Sequence, residues 1–313
     1  MEQLLSLLKT IPEYAAMVSS LQDGESVAVT GIGQINRSHM IAGLCRSINR
    51  PMVVLCQDDL AARRLQEELK GFLADTAPIL PGRDLTLYDA AVVSRSWEQK
   101  RLRQLYDLAV GKTSLQIMTW ESLSLRTMPK AALLSAAFSL EVGREYAVED
   151  LISRLTAAGY NRCGMVEGPG QFAVRGGILD IFSPAEDRPV RAEFFGDELD
   201  TMGFFDPATQ RRSENITSVT VLPVAETQPG LHPGGVEGLC KDITSLISRQ
   251  KRRKNINEPL IATLEKDLNK YESGLHNPAS DRYMALIYPE MATAADYIPD
   301  GAVVAVCDHG NLQ

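Results

Sequence analysis

Short apolar runs alternate with helical stripes along the first third of the chain. In the helical stretches the apolar residues recur every three or four positions, which places them on one face. The runs of strand length are residues 27–30, 52–56, 78–80 and 115–119, and the helical stretches are residues 37–47, 58–72 and 94–110. This alternation is typical of βαβ units and predicts a parallel sheet.

Beyond residue 129 the pattern changes to short strands separated by turn residues. The predicted strands are residues 137–142, 171–175, 178–182, 190–195, 198–205 and 217–222. One helix, over residues 148–158, interrupts them, so this stretch predicts a small α+β domain. Residues 223–235 contain three prolines and three glycines, which indicates a linker.

The pattern after this segment returns to longer elements. Helices are predicted over residues 236–251 and 257–268, and residues 302–307 form a last apolar run of strand length. A single late strand of this kind fits best in the first sheet, so we predict an α/β fold whose parallel-sheet domain is discontinuous. The predicted domains are residues 1–128 as the first half of the α/β domain, 129–223 as an inserted α+β domain, and 224–313 as the linker and the second half.

The composition is that of an ordinary globular chain with an acidic balance. Of 313 residues, 44% are hydrophobic, the formal net charge is −8 and the pI is near 5.2. An acidic chain does not have a surface built throughout for nucleic acid, so any DNA contact is expected to be regional. The basic run RQKRRK at residues 249–254 is the candidate for such a contact, and a solvated helix end is the alternative interpretation.

The cysteines and histidines indicate neither a disulfide framework nor a metal site. Five cysteines are scattered without a C-x-x-C pair, and four histidines are dispersed without ligand spacing. This usage favours a reducing compartment. Because the chain also lacks an apolar run of about 18 residues, we expect a cytoplasmic protein with no metal and no membrane partner.

The segment AVTGIGQI, residues 28–35, has the outline of a phosphate-binding loop after a strand. In such a loop, G-x-x-x-x-G-K-[ST], backbone amides surround phosphate, the lysine neutralises it and the hydroxyl holds Mg²⁺. On this template Ala28 replaces the first glycine, while Gly31 and Gly33 keep the loop glycine-rich. Gln34 replaces the lysine and Ile35 replaces the hydroxyl. A tight turn without any ligand is the simpler interpretation, because such turns favour glycine for backbone reasons.

The late apolar run supports the interpretation that a nucleotide site has been lost. Residues 302–309 resemble the strand of helicase-type ATPases that ends in Asp-Glu and holds Mg²⁺, but His309 follows Asp308 in place of the second carboxylate. With both contacts altered, we expect this chain to bind no nucleotide cofactor and to be no enzyme. The fold class is then a degenerate helicase-like or P-loop-like α/β domain.

The most specific text lies in the predicted insert. It comprises GPGQFAVRGGILDIF at residues 168–182, VRAEFFGDE at residues 190–198 and FDPATQ at residues 205–210. This text resembles the UvrA-binding domain shared by the excision-repair protein UvrB and the transcription-repair coupling factors of the Mfd family. The altered loop, and the lack of room at residues 81–98 for the DNA hairpin of UvrB, favour the amino-terminal UvrB-homology module of the coupling factors.

Strand alternation gives this motif a physical meaning of its own. Residues 172 and 174 fall on one face of their strand and residues 173 and 175 on the other, and residues 190–195 alternate in the same way. A two-residue turn at Gly196-Asp197 then joins neighbouring strands. The resemblance implies that Arg162, Arg175 and Glu193 contact UvrA, with Ala173 in place of a further arginine. Arg191 and Phe195 share the charged face and are assigned to the same surface.

The resemblance implies a non-catalytic adaptor that recruits UvrA in nucleotide excision repair. It further implies a parent protein in which an ATP-driven DNA translocase lies beyond residue 313, with RNA polymerase and double-stranded DNA as partners and with ATP and Mg²⁺ in the motor. Other domains of the parent are expected to mask the UvrA surface. The alternative is a DNA-stimulated ATPase like UvrB that uses residues 31–34 in an unorthodox way. A basic-patch nucleic-acid binder is a third interpretation.

Overall fold

The computed structural model describes residues 2–83, 96–275 and 277–307. Its α-helices, in chain order, are α1 (Glu2–Leu8), α2 (Pro12–Gln22), α3 (Gln34–Ser47), α4 (Asp59–Leu69), α5 (Ser96–Ala109), α6 (Trp120–Ser124), α7 (Lys130–Ala136), α8 (Val148–Ala157), α9 (Gly235–Lys251), α10 (Glu258–Glu272) and α11 (Met284–Ile287). Among these described residues, no helix has both the length and the apolar character needed to cross a bilayer.

Within the described ranges the strands form three sheets. In chain order they are β1 (Met52–Cys56), β2 (Leu115–Thr119), β3 (Phe138–Glu141), β4 (Asn161–Arg162), β5 (Gln171–Arg175), β6 (Ile178–Ile181), β7 (Val190–Phe195), β8 (Glu198–Phe205), β9 (Arg212–Asn215), β10 (Ser218–Val221) and β11 (Val303–Val306). The chain divides into two compact units, with one sheet in the first unit and the other two sheets in the second.

The first unit contains residues 2–82, 104–125 and 293–307 and is built on a parallel sheet in the order β11-β1-β2. All five residues of β1 are buried, as expected for the central strand of a covered parallel sheet. Helix α4 begins where the Asp58 side chain accepts a hydrogen bond from the Ala61 amide at 2.8 Å. The prediction that the late apolar run joins the first sheet is confirmed by β11, which pairs with β1.

The predicted strand over residues 27–30 is wrong. This segment is not paired into the sheet, and Val27 and Val29 are 39% and 49% exposed. A short apolar run becomes a strand only where a partner strand and a covering layer bury it, and the described residues supply no partner strand for this segment and leave its valines exposed. The predicted strand over residues 78–80 is reduced to an isolated bridge between Ile79 and Ile117.

The second unit contains Arg83, residues 96–103 and residues 126–292, of which His276 lies outside the described residues. Its six-stranded sheet has the order β4-β5-β6-β7-β8-β9 and is antiparallel except for the β4–β5 pair. Leu151 and Leu155 of α8 share a core with Phe172, Leu179 and other apolar residues of this sheet. The mixed α/β character is therefore as predicted, with a parallel sheet in one unit and antiparallel sheets in the other.

A buried ion network, defined as Arg83, Arg101, Glu226 and Asp281, lies in the second unit. The side chains of Arg101 and Glu226 are 0% exposed and are joined by a 3.0 Å contact from Nε to Oε1. Arg83 donates from Nη2 to Asp281 Oδ1 at 2.6 Å. Glu226 belongs to the proline- and glycine-containing segment that composition indicates to be a linker, yet residues 221–228 are all buried.

Candidate partner-binding surface

The register of the six-stranded sheet brings Arg175 and Glu193 into one cross-strand row. Arg175 pairs with Ile178, Ile178 with Glu193, and Glu193 with Thr201. We call these four residues the exposed row, because their side chains are exposed or half-buried. Arg175 and Glu193 stand two strands apart, about 10 Å between backbones at ordinary strand spacing. The predicted alternation on β5 is confirmed: Phe172 and Val174 pack with the main core, whereas Ala173 packs on the other face.

The neighbouring row on this face is covered. It consists of Ala173, Asp180, Arg191 and Gly203, paired in that order across β5 to β8. A small apolar cluster of Val166, Ala173, Phe182 and Phe205 lies over part of it. Ala173 is 1% exposed, so a larger side chain at this position would have to displace the cluster. The packing at this position therefore fits a small residue, although the resemblance leads one to expect an arginine here.

Two arginines share the carboxylate of Asp180. The Asp180 side chain is 0% exposed. It accepts hydrogen bonds from Arg191 Nε at 2.7 Å and Nη2 at 2.9 Å, and from Arg175 Nη2 at 2.6 Å. The hydrogen bonds that Arg191 donates to Asp180 raise the pKa of Arg191 above its ordinary value. The two arginines differ in access, because the Arg175 side chain is 47% exposed and that of Arg191 only 16%.

Glu193 is held in place by a third arginine. Arg212 Nη1 donates to Glu193 Oε1 at 3.0 Å and to Thr201 Oγ1 at 3.0 Å. The Glu193 side chain nevertheless remains 43% exposed. The exposed row therefore presents one cation and one anion, each fixed by a neighbour of opposite charge.

Phe195 projects at the tip of the β7–β8 hairpin and is 84% exposed. The predicted two-residue turn is confirmed, since Phe195 pairs with Glu198 and Gly196 adopts a positive φ of 64°. A register shift between Glu193 and Phe194 marks a β-bulge just before the tip. An aromatic ring held in water by a tight turn is suited to enter an apolar recess on another protein.

Arg162 is not brought into the exposed row. It lies on the short edge strand β4 and pairs with Phe172. Strand alternation places the Phe172 row on the opposite face from Arg175. Arg162 is exposed at this edge, so among the residues predicted for the surface it is the one that the sheet separates from the others.

Asp180 and Arg212 hold the charged residues of the surface in place, although the sequence analysis does not include them. Asp180 lies among apolar residues in β6, and Arg212 lies in the polar edge strand β9. Strand alternation places Asp180 on the face opposite Leu179 and Ile181, so its burial depends on the apolar cluster that covers this face. Nothing in the sequence indicates that cover, and nothing in the sequence pairs Arg212 with Glu193.

The turn that carries Arg175 tolerates no side chain at Gly177. A Cβ built on Gly177 would stand 2.8 Å from the backbone oxygen of Phe194, which cannot rotate away. We expect Gly177→Ala to lower the free energy of unfolding by about 1–3 kcal/mol through overpacking, measured by urea denaturation. Gly164→Ala is the matched control, because a Cβ there meets nothing within 4 Å. Equal stability of the two variants would contradict the close approach.

The altered phosphate loop contributes to a mainly apolar cavity in the first unit. The cavity has a volume of about 700 Å³, and residues 27–32 line it together with residues of α2, α3 and β11. Arg37 is the charged residue of its described lining. Gly31 adopts a positive φ of 80°, and α3 begins after Gly33 without a side-chain cap. The side chains of Gln34 and Ile35, and all of Asp308 and His309, lie outside the described residues.

The basic run at residues 249–254 lies at the carboxyl-terminal end of α9. Its cations are exposed, and Lys251 contacts Glu265 at 2.8 Å. Cations at this end of a helix are favoured by the helix dipole, so the position is consistent with a solvated helix end. Within the described residues no group of three or more His, Cys, Asp or Glu side chains is arranged to hold a metal ion.

Comparison with known proteins connects this surface with DNA repair. Residues 138–226 match the family model described as the UvrB interaction domain. The chain is similar to the transcription-repair-coupling factor of Bacillus subtilis, with 25% identity over 97% of this chain and 26% of the relative. The corresponding factor of Myxococcus xanthus is 32% identical over 68% of this chain and 18% of its own length. That of Staphylococcus aureus strain Mu50 is 26% identical over 91% and 24%.

These matches confirm the family resemblance found in the motifs. They cover most of the chain and include all strands of the surface described above. The chain spans about a quarter or less of the length of these curated relatives.

Proposed function

We propose that this chain is a non-catalytic adaptor that recruits UvrA during transcription-coupled nucleotide excision repair. The observation that carries the proposal is that the family match and the charged surface lie in the same part of the chain. The stretch matching the UvrB interaction domain, residues 138–226, contains the exposed row and the exposed Phe195. A fixed cation, a fixed anion and an exposed aromatic ring on one rigid sheet are the features expected of a protein-binding surface.

Each group of the surface has a separate part in the proposed contact. Arg175 offers the N–H groups that Asp180 does not use to a carboxylate or carbonyl of UvrA. Glu193 offers its exposed oxygen edge to a cation or an N–H donor. Phe195 supplies apolar area at low entropic cost, because an aromatic side chain has few rotatable bonds. Arg191 supports the surface from beneath rather than touching the partner.

The proposal assigns the motor activity to other parts of a longer parent protein. The parent would be an ATP-driven DNA translocase that contacts RNA polymerase and double-stranded DNA, and it would act in the cytoplasm. ATP and Mg²⁺ would belong to that motor. The first unit would then be a degenerate helicase-like domain, and other domains of the parent would mask the UvrA surface until the motor engages DNA.

We expect isothermal titration calorimetry with Mg-ATP to detect no binding to this chain up to millimolar nucleotide. The loop has no lysine for the β- and γ-phosphates and no hydroxyl for Mg²⁺. A charge-assisted phosphate contact is among the stronger hydrogen bonds, so its loss is expected to remove most of the affinity. Micromolar binding that disappears in a Gly33→Val variant would instead favour the UvrB-like ATPase.

Capture of purified UvrA by the immobilised chain tests the adaptor role itself. The wild-type chain is expected to retain UvrA at physiological salt. Failure to retain it would remove the proposal. Steeply salt-dependent binding of DNA by this chain, lost when Arg252 and Arg253 are replaced, would support the basic-patch interpretation instead.

A further inference from the structure

We propose that Asp180 is a positioning residue for Arg175, and that Arg191, itself held by Gln210, keeps Asp180 in place for this role. The inference rests on the proposed function, because its effect is measured on UvrA binding. It goes beyond that function by placing the determinant of affinity beneath the surface, at a residue that no partner can touch.

Arg191 is fixed by contacts on several sides. Beyond its two bonds to Asp180, Nη1 donates to the Gln210 carbonyl and Nη2 to Gln210 Oε1, both at 3.2 Å. Its guanidinium also lies over the Phe205 ring, 4.6 Å from the centroid. Gln210 has a positive φ of 60° and donates from Nε2 to the Pro207 carbonyl at 2.8 Å. These contacts make the Arg191–Asp180 pair a rigid unit.

Arg175 depends on this unit for its orientation. Its contact with Asp180 runs through a single nitrogen, Nη2, and its side chain is half exposed. An arginine with no such contact would sample several rotamers in water, and binding would have to order it. The carboxylate of Asp180 therefore pre-orders Arg175 and leaves the other donors of its half-exposed side chain for a partner.

Charge balance makes the positioning role distinguishable from a purely electrostatic one. Asp180, Arg175 and Arg191 together carry a net charge of +1 by formal count, so Asp180→Asn leaves two positive charges side by side. A longer-range electrostatic effect on an acidic partner would then speed association. Loss of positioning instead speeds dissociation, since the Arg175 contact becomes looser.

The test is a double-mutant cycle in which the association and dissociation rates of UvrA are measured on this whole chain. Asp180→Asn is made alone and in the Arg175→Ala background. We expect Asp180→Asn alone to raise the dissociation rate about threefold to tenfold, the effect of one side chain that must be ordered on binding. In the Arg175→Ala background it is expected to add nothing. Asp187→Asn is the control, because it makes the same chemical change at an exposed carboxylate.

Each outcome of the cycle either supports or contradicts the positioning role of Asp180. Equal effects of Asp180→Asn in both backgrounds would show a merely structural role and overturn the positioning role alone. Absence of UvrA binding by the wild-type chain would remove the proposed function and the positioning role with it. If circular dichroism shows that Asp180→Asn does not fold, Arg191→Lys replaces it in the same cycle, because lysine lacks the bidentate fork. The same pattern is expected there, and additive effects would again overturn the role.

Discussion

Replacing Glu226 with glutamine is expected to lower the free energy of unfolding of the second unit by about 3–5 kcal/mol, the cost of removing one partner from a buried ion pair. The Glu226 side chain is 0% exposed and contacts Arg101 at 3.0 Å and Arg83 at 3.8 Å. It also accepts hydrogen bonds from the Thr127 hydroxyl and from the Met128 amide. A glutamine of nearly the same size would leave the Arg101 guanidinium buried beside a neutral amide.

The size of the effect follows from burial rather than from the number of contacts. A solvent-exposed ion pair contributes about 0–1 kcal/mol, because water replaces the lost partner. Water cannot reach Arg101, whose side chain is also 0% exposed. Domains of this size are stable by only about 5–15 kcal/mol, so the variant is expected to be close to unfolding at 37 °C.

Urea denaturation followed by circular dichroism measures this difference. Glu265→Gln is the control, because Glu265 pairs with Lys251 on the surface with its side chain 48% exposed. The control is expected to change stability by less than about 1 kcal/mol. A Glu226→Gln variant as stable as the control would contradict the account of the buried ion network.

Strand patterning predicted the parts of the fold in which burial alternates or is continuous. The strands β1, β5, β7 and β8 were predicted with the bounds that they have, since their apolar residues mark either a covered sheet or one buried face. Strand patterning does not predict the edge strands β4 and β9, because NR and RSEN carry only polar residues and show no apolar alternation.

The wrong strand at residues 27–30 and the buried segment around Glu226 have a common cause. Both depend on residues distant in the chain. Val27 and Val29 have the residue types of a strand, but the described part of the chain leaves them 39% and 49% exposed. Glu226 lies between prolines and glycines, but its arginine partners come from positions more than 120 residues earlier. Local sequence shows neither whether a segment will be covered nor which distant side chains will contact it.

For the candidate site, strand alternation predicts only which face of the sheet a residue occupies. Alternation correctly placed Arg175 opposite Phe172, and the turn at Gly196 was readable from glycine followed by aspartate. Which residues stand side by side depends on register, which sequence does not give. The shared carboxylate of Asp180 and the Arg212 contact to Glu193 became visible only with the structure.

The combination Arg175→Ala plus Glu193→Ala is expected to weaken UvrA binding by tenfold or more, and by about 700-fold if both residues are hot spots with additive effects. Truncation of one such residue typically costs about 2 kcal/mol or more, and a factor of ten corresponds to about 1.4 kcal/mol. Folding is expected to survive, because Asp180 keeps both hydrogen bonds from Arg191. Both replaced side chains are also partly in water.

The matched control removes an arginine that lies just before β7 and a glutamate of β9. Arg188 and Glu214 form an exposed pair at 2.7 Å, with side chains 47% and 61% exposed. Arg188→Ala plus Glu214→Ala therefore changes the same residue types and leaves the net charge unchanged, as the test variant does. This control is expected to bind UvrA like the wild-type chain.

The measurement that tests the central claim most directly is the dissociation constant for UvrA of three folded proteins: the wild-type chain, the Arg175→Ala plus Glu193→Ala variant, and the Arg188→Ala plus Glu214→Ala control. The account predicts clear binding by the wild type and the control and a loss of tenfold or more in the test variant alone. Equal affinity of all three proteins would contradict the assignment of the exposed row as the UvrA-binding surface.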